Sequence, residues 1–215
     1  MKIIEQAISF NEEAFILTNQ RAAFWAKEKA LILADLHLGK AAHFRKNGIA
    51  MPAQVSEQDM QRLENLIRHY GAEQVIIVGD LVHASANKEV GLFFAVTQKF
   101  PGTRFILVRG NHDRFPERQF KKMGIYSVQD FLLIRNIRFV HHHRDMDTGC
   151  ISGHLHPGIK LPLPAGQVMR FPCYVLTGKQ FILPAFSRFT GLDTSALPPK
   201  AVCYAFYPHG FFKIG

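Results

Sequence analysis

The chain has 215 residues, 47% of them hydrophobic and 20% charged, and a formal charge of +9. That length suits one α/β domain over residues 1–215 with a core of its own, and the composition excludes a disordered, collagenous or low-complexity protein. The three cysteines, Cys150, Cys173 and Cys203, lack any Cys-x-x-Cys spacing, which excludes a disulfide framework or a thiolate zinc site and fits a reducing cytoplasm.

From the N-terminus, Glu5, Glu12 and Glu13 interrupt the stretch where a secretory signal needs an unbroken apolar run. No later apolar segment reaches the length a bilayer requires, so a cytoplasmic location without a membrane partner is expected. Short apolar, β-branched runs at residues 30–34, 74–78, 105–108, 131–134 and 137–140 predict buried strands. Residues 56–70 predict a helix with Met60, Leu63, Leu66, Ile67 and Tyr70 on one stripe, and Ser56 with Asp59 resembles a capping box. A second helix is predicted over residues 88–100. Strand–helix alternation in the first half and a strand-rich second half predict layered sheets with helices outside. Tyr126 and the phenylalanines read as core rather than as base-stacking platforms.

Polar residues follow each apolar run. The run at 31–34 leads into Asp35-Leu36-His37, the run at 75–78 into Gly79-Asp80, and the run at 105–108 through Arg109 into Gly110-Asn111-His112-Asp113. Parallel strand ends gather at one sheet edge, where α/β proteins place their sites. The glycines before Asp80, Asn111 and His154 are expected to permit the sharp turns that aim these side chains inward. Asp35 and His37 are two residues apart, a spacing that puts both on one side of an extended strand end, and His154-Leu155-His156 repeats it. A histidine of the run 141–143 adds another imidazole.

Seven nitrogen and oxygen donors without thiolate suit two divalent cations, manganese foremost, with iron or zinc compatible. The chemistry needs such a pair. A phosphodiester is an anion that repels hydroxide, and two cations roughly 3.5–4 Å apart neutralise its oxygens while lowering the pKa of a bridging water. His112, beside Asn111, is placed to stabilise developing charge or protonate the leaving oxygen, with Asp113 orienting it from behind.

The ordered set Asp-x-His, Gly-Asp, Gly-Asn-His-Asp, His and Gly-His-x-His resembles the calcineurin-like metallophosphoesterase superfamily. The resemblance implies a four-layer α/β/β/α sandwich of two mixed sheets flanked by helices. It implies one metal on Asp35, His37, Asp80 and His156, and another on Asp80, Asn111, His154 and a histidine of the triplet, His141 first and His142 second. A bridging hydroxide then attacks phosphorus. A narrower similarity, over about residues 30–192, is to the ligase-associated DNA damage response endonucleases. It rests on residues 35–40, Phe44-Arg45, Gly48-Ile49, Pro52, residues 79–83, residues 153–157, Leu183-Pro184-Ala185-Phe186 and Thr190-Gly191. His141-His142-His143-Arg144 departs from the single histidine followed by proline of that family.

This likeness implies a manganese-dependent DNA endonuclease of repair, associated with a DNA ligase and a helicase or exonuclease. Lys40 and Arg45, with Asn111, are the expected substrate contacts, joined by Lys46, Arg114, Arg118, Lys121 and Lys122 along the same edge. The net positive charge agrees with a polyanionic partner. The alternatives are a small-molecule or nucleotide phosphoesterase of the same superfamily and, against the complete donor set, an inactive scaffold.

Overall fold

A computed structural model describes residues 2–40, 44, 48, 54–83, 88–142, 149–195 and 197–215. The chain opens with an antiparallel meander, β1 (Glu5–Phe10), β2 (Glu13–Thr18) and β3 (Ala23–Trp25). Strand–helix alternation begins only afterwards. β4 (Ala30–Leu33), β5 (Gln74–Val78), β6 (Arg104–Val108) and β7 (Ile125–Gln129) run parallel and complete a seven-stranded sheet in sequence order. Between them lie α1 (Val55–Tyr70), α2 (Lys88–Lys99) and α3 (Glu117–Lys122).

The second sheet contains β8 (Leu132–Ile134), β9 (Ile137–Val140), β10 (Gly149–Ser152), β12 (Val168–Leu176), β13 (Gln180–Ile182), β14 (Val202–Tyr207) and β15 (Gly210–Ile214). Its middle, β9-β10-β13, is parallel, and its other pairings are antiparallel, so both sheets are mixed. β11 (Gly158–Pro162) pairs only with the first half of β12, extending the pair as a hairpin.

Period-two alternation sorts the apolar residues into layers. Leu31, Leu33, Val75, Ile77, Phe105 and Leu107 face outward beneath Met60, Leu63, Leu66 and Ile67 of α1, Phe93 of α2 and Phe120 of α3. Ala30, Ile32, Ile76 and Val78 face the other way, onto Ile137, Phe139, Ile151, Tyr174 and Phe181 of the second sheet. Each large side chain so buried contributes roughly 1.5–3 kcal/mol. The fully buried Tyr174 also ties the sheets together, its hydroxyl lying 2.7 Å from the Thr18 carbonyl and 2.9 Å from that of Ala22. The α/β sandwich of two mixed sheets is thus present. Among the described residues its α-helices lie on the first sheet, whereas the outer face of the second packs on Ile159 and Leu161 of β11 and on Leu197 and Ala201.

Two local expectations are corrected. No side chain caps α1, since the helix begins at Val55 with Gln54 as its N-cap and so takes Ser56 inside, while Asp59 forms a buried ion pair with Arg62, 2.8 Å away. Tyr126 is exposed rather than core, since β7 is the edge of its sheet and alternation turns Ile125 inward and Tyr126 out.

Candidate metal centre

Five parallel strands aim their C-terminal ends at one place. Asp35 follows β4, Asp80 follows β5, Asn111 follows β6, His141 follows β9 and His154 follows β10. The first sheet supplies the acids and the amide, and the second supplies most of the imidazoles. The segment after β13 locks the two together: Ala185 bridges Ala34, Phe186 N–H donates to the Ala34 carbonyl at 2.7 Å, and Ser187 N–H to that of Asp35 at 3.2 Å.

The donors converge through unusual backbone rather than an extended pleat. Asp35, His37, Asp80, His154 and His156 all have positive φ, between 47° and 70°. Asp and His tolerate this region better than branched residues, yet each such residue stores strain of order 1 kcal/mol or more. The spacing of two therefore works by alternate left-handed turns, which correct the extended reading. The neighbouring glycines serve a different end from the one their turns suggested. Gly79 does have φ +81°, but a Cβ there would meet the His141 ring, one on Gly110 would meet Asp80, and one on Gly153 would meet Ala34 and Asp35. They allow close approach of chain to ligand.

Two groups of donors result, Asp35 with His37 and His156, and Asp80 with His141 and His154, each with its atoms within 4.8 Å of one another. Asn111 Oδ1 lies 3.1 Å from His141 Nε2, so it joins the second group. Backbone N–H groups orient both carboxylates. His154 N–H donates to Asp35 Oδ2 at 3.0 Å and His112 N–H to Asp80 Oδ1 at 2.9 Å, leaving Asp35 Oδ1 and Asp80 Oδ2 for the centre. His141 Nδ1–H donates to the Val78 carbonyl at 3.0 Å, which points Nε2 inward.

These residues fit divalent cations. Asp35 Oδ1 is buried without a hydrogen-bond partner, while His156 Nε2, His37 Nε2 and His141 Nδ1 stand 3.2, 3.9 and 4.0 Å from it. His37 Nε2 and His156 Nε2 face each other at 3.3 Å, as do His154 Nδ1 and His141 Nε2. Burial and the Lys40 charge lower His37 to about 2, and burial with the neighbouring His141 also lowers His154, so both are neutral donors. Burial opposes charge on Asp80 and on His141, but their mutual contact at 3.3 Å outweighs it, holding Asp80 at about 2 and raising His141 to about 9. Cys150, Cys173 and Cys203 are buried in strands and belong to neither group.

The remaining predicted residues separate. His142 is exposed, its ring 4.7 Å from that of His154, so His141 alone of the described pair joins the donors. His112 is the outer histidine of the cluster, its ring half-open and its Nε2 3.9 Å from Asp80 Oδ2. His83 lies beside it, the two ring centroids 4.5 Å apart and the planes tilted by 34°. Asp113 does not orient His112. Its two oxygens accept the N–H groups of Val82 at 3.0 Å and Gly110 at 2.9 Å, so it braces the two loops, and burial raises its pKa to about 6.

Lys40 is half-buried, its pKa lowered by burial against the pull of Asp35 and Asp80. Arg45, Lys46, His143 and Arg144 lie outside the described residues. Arg114, Arg118, Lys121 and Lys122 are exposed, and Lys121 pairs with Glu117 at 3.0 Å on a solvated helix face. Buried Glu89 of α2, which sequence reading passed over, accepts the Gly39 N–H at 2.6 Å and fixes the loop after the first donor pair. Only its place at a helix start pointed to it.

The calcineurin-like phosphoesterase family profile matches residues 29–168, which span all five strand ends just described and stretch past His156. The solved nuclease MPE of Pseudomonas putida is 27% identical with a TM-score of 0.78, the match covering 94% of this chain and 96% of that one. A protein of unknown function from Aquifex aeolicus, AQ665, is 16% identical over 58% of this chain and 77% of its own, with a TM-score of 0.41. A comparison with curated proteins finds no match. No described helix is long and apolar enough to cross a membrane. With the profile covering well over half its length, the chain belongs to the calcineurin-like phosphoesterase family, whose members are hydrolases of phosphoester bonds.

Proposed function

We propose that this chain is a manganese-dependent phosphodiesterase that cleaves DNA, working in the cytoplasm in repair beside a DNA ligase and a helicase or exonuclease. The observation that carries it is the pair of donor groups placed side by side, with Asp80 between His141 and His112 and the orphaned Asp35 Oδ1 at the first group. The nuclease of P. putida, similar along nearly the whole chain, supports nucleic acid as the substrate class.

In this reading Asp35, His37, Asp80 and His156 hold one cation, and Asp80, Asn111, His154 and His141 the other. When bound, the two cations neutralise phosphate oxygens and make water a competent nucleophile near neutral pH. The chain's own residues do the rest. Asn111 presents a neutral oxygen on the exposed side, beside the scissile phosphate. His112, held by its backbone bond to Asp80, stands open to solvent and hands a proton to the leaving oxygen. Asp113 keeps its loop in register through Val82 and Gly110. Lys40 adds positive charge to the same opening and draws in the diester anion.

A nicking assay with manganese on single-stranded and duplex DNA, beside an aryl phosphodiester, tests this. DNA cleavage lost on chelation and regained on adding manganese is expected. Hydrolysis confined to the aryl ester would instead identify a small-molecule phosphoesterase.

A further inference from the structure

A roomy cavity lies apart from the donor groups. It has a volume of about 850 Å³, in the range of small-ligand sites, and is walled by residues 19–21, the first half of β12, the β14–β15 turn and Arg188. Its chemistry is one-sided. Lys2, Arg21, Arg170 and Arg188 line it, and among the described residues no carboxylate does. Phe171, Tyr207 and Phe212 supply aromatic surface between these cations.

The charge there is not incidental. The Arg21 guanidinium is held by the Ala185 carbonyl at 2.9 Å and that of Ser187 at 3.3 Å. Burial, with the charges of Arg62 and Arg188 close by, lowers its pKa to about 10 against the pull of Asp59. Arg62 is paired with Asp59 at 2.8 Å, which leaves the charges of Arg21 and Arg188 at the cavity for an anion to balance.

Position decides which ligand. Residues 187–189 form a wall with two sides: Arg188 lines the cavity, whereas Ser187 and Phe189, with His37 and Lys40, line a small cleft beside the donor groups. The same segment is bonded to Asp35. Cations for a phosphate and flat rings for a base thus share a cavity whose Arg188 wall belongs to the segment bonded to Asp35.

We propose that this cavity is a second substrate subsite, taking an unpaired nucleotide of the strand being cut, with its base against Phe171, Tyr207 and Phe212 and its phosphate against Arg170 and Arg188. The assignment rests on the nuclease reading above. A base still paired in a duplex cannot enter, so the subsite favours single strands and frayed ends.

The test uses Tyr207→Ala and Arg170→Ala, both at exposed positions. Hydrolysis of an aryl phosphodiester by the manganese-loaded chain should stay within about twofold of the parent. Binding of a fluorescent oligodeoxythymidylate, read by anisotropy, should weaken about 5- to 150-fold in each variant, the span of one lost base stack or charge contact. Oligonucleotide affinity and cleavage unchanged in both variants would overturn the subsite while leaving the nuclease reading standing. A parent chain that hydrolyses the aryl ester yet ignores the oligonucleotide would sink both. Thymidine monophosphate binding that drops in the variants while oligonucleotide binding does not would assign the cavity to a free nucleotide and overturn the strand assignment. Competition by poly-glutamate but not by nucleotides would overturn it in favour of an acidic protein partner.

Discussion

In the proposed two-cation reading, Asp80 of the second donor group is the residue that serves both cations. Its Oδ2 lies 3.3 Å from His141 Nε2 and 3.9 Å from His112 Nε2, while its Oδ1 is held by a backbone N–H. Asp80→Asn keeps the size and the left-handed tolerance of the side chain but removes the charge. It should lose both cations and all turnover, read by elemental analysis and by phosphodiester hydrolysis. His112→Ala should keep its metal content and slow the chemical step about 10²–10⁴-fold, the usual range for a lost proton donor. Equal metal loss in the two variants would break the division of roles. Much of this was legible in the order of Asp, His, Asn and Gly-His-x-His along the chain. The work of Asp113 was not, because its partners Val82 and Gly110 are backbone groups that leave no mark on side-chain spacing.

At the scale of elements, the runs ahead of the polar residues appeared as strands almost as read, since a strand buried on both faces is apolar throughout. The N-terminal meander was hidden because β1 and β2 mix polar and apolar residues at an edge. The role of Asp59 in α1 was misread for a reason that spans the molecule. Asp59 looked local to Ser56, but it serves Arg62, whose guanidinium also bonds the Phe186 carbonyl at 2.5 Å and lies 4.2 Å over the Phe186 ring. No short-range pattern reports a partner 124 residues away. Arg62 is only 3% exposed, so Asp59→Ala strands a buried cation. A loss of about 3 kcal/mol in urea unfolding is expected, near the lower end for a broken buried pair because the Phe186 contacts survive. Replacing Asp59 and Arg62 together by apolar residues should be milder than the single change. A loss within about 0.5 kcal/mol for Asp59→Ala would show that the pair is not holding α1 against the segment after β13.

For the molecule as a whole, the charge of +9 coexists with a centre that gathers carboxylates, so basic groups dominate elsewhere. Affinity for DNA should therefore fall steeply with salt, with a log–log slope of about −3.6 for duplex and about −2.8 for single strands if about four phosphates are neutralised. Hydrolysis of an aryl ester that reaches only the centre should change little over the same range. A flat salt response for DNA would argue that the basic surface is not part of the track. The left-handed backbone at Asp35, His37, Asp80, His154 and His156 bears on how such a protein can change over time. At those five positions most replacements injure the scaffold as well as the chemistry, since few side chains other than Asn or Gly settle there without penalty. A lineage that gave up hydrolysis yet kept its shape would be channelled towards those two residues, and their presence in a descendant would mark lost chemistry on an intact frame.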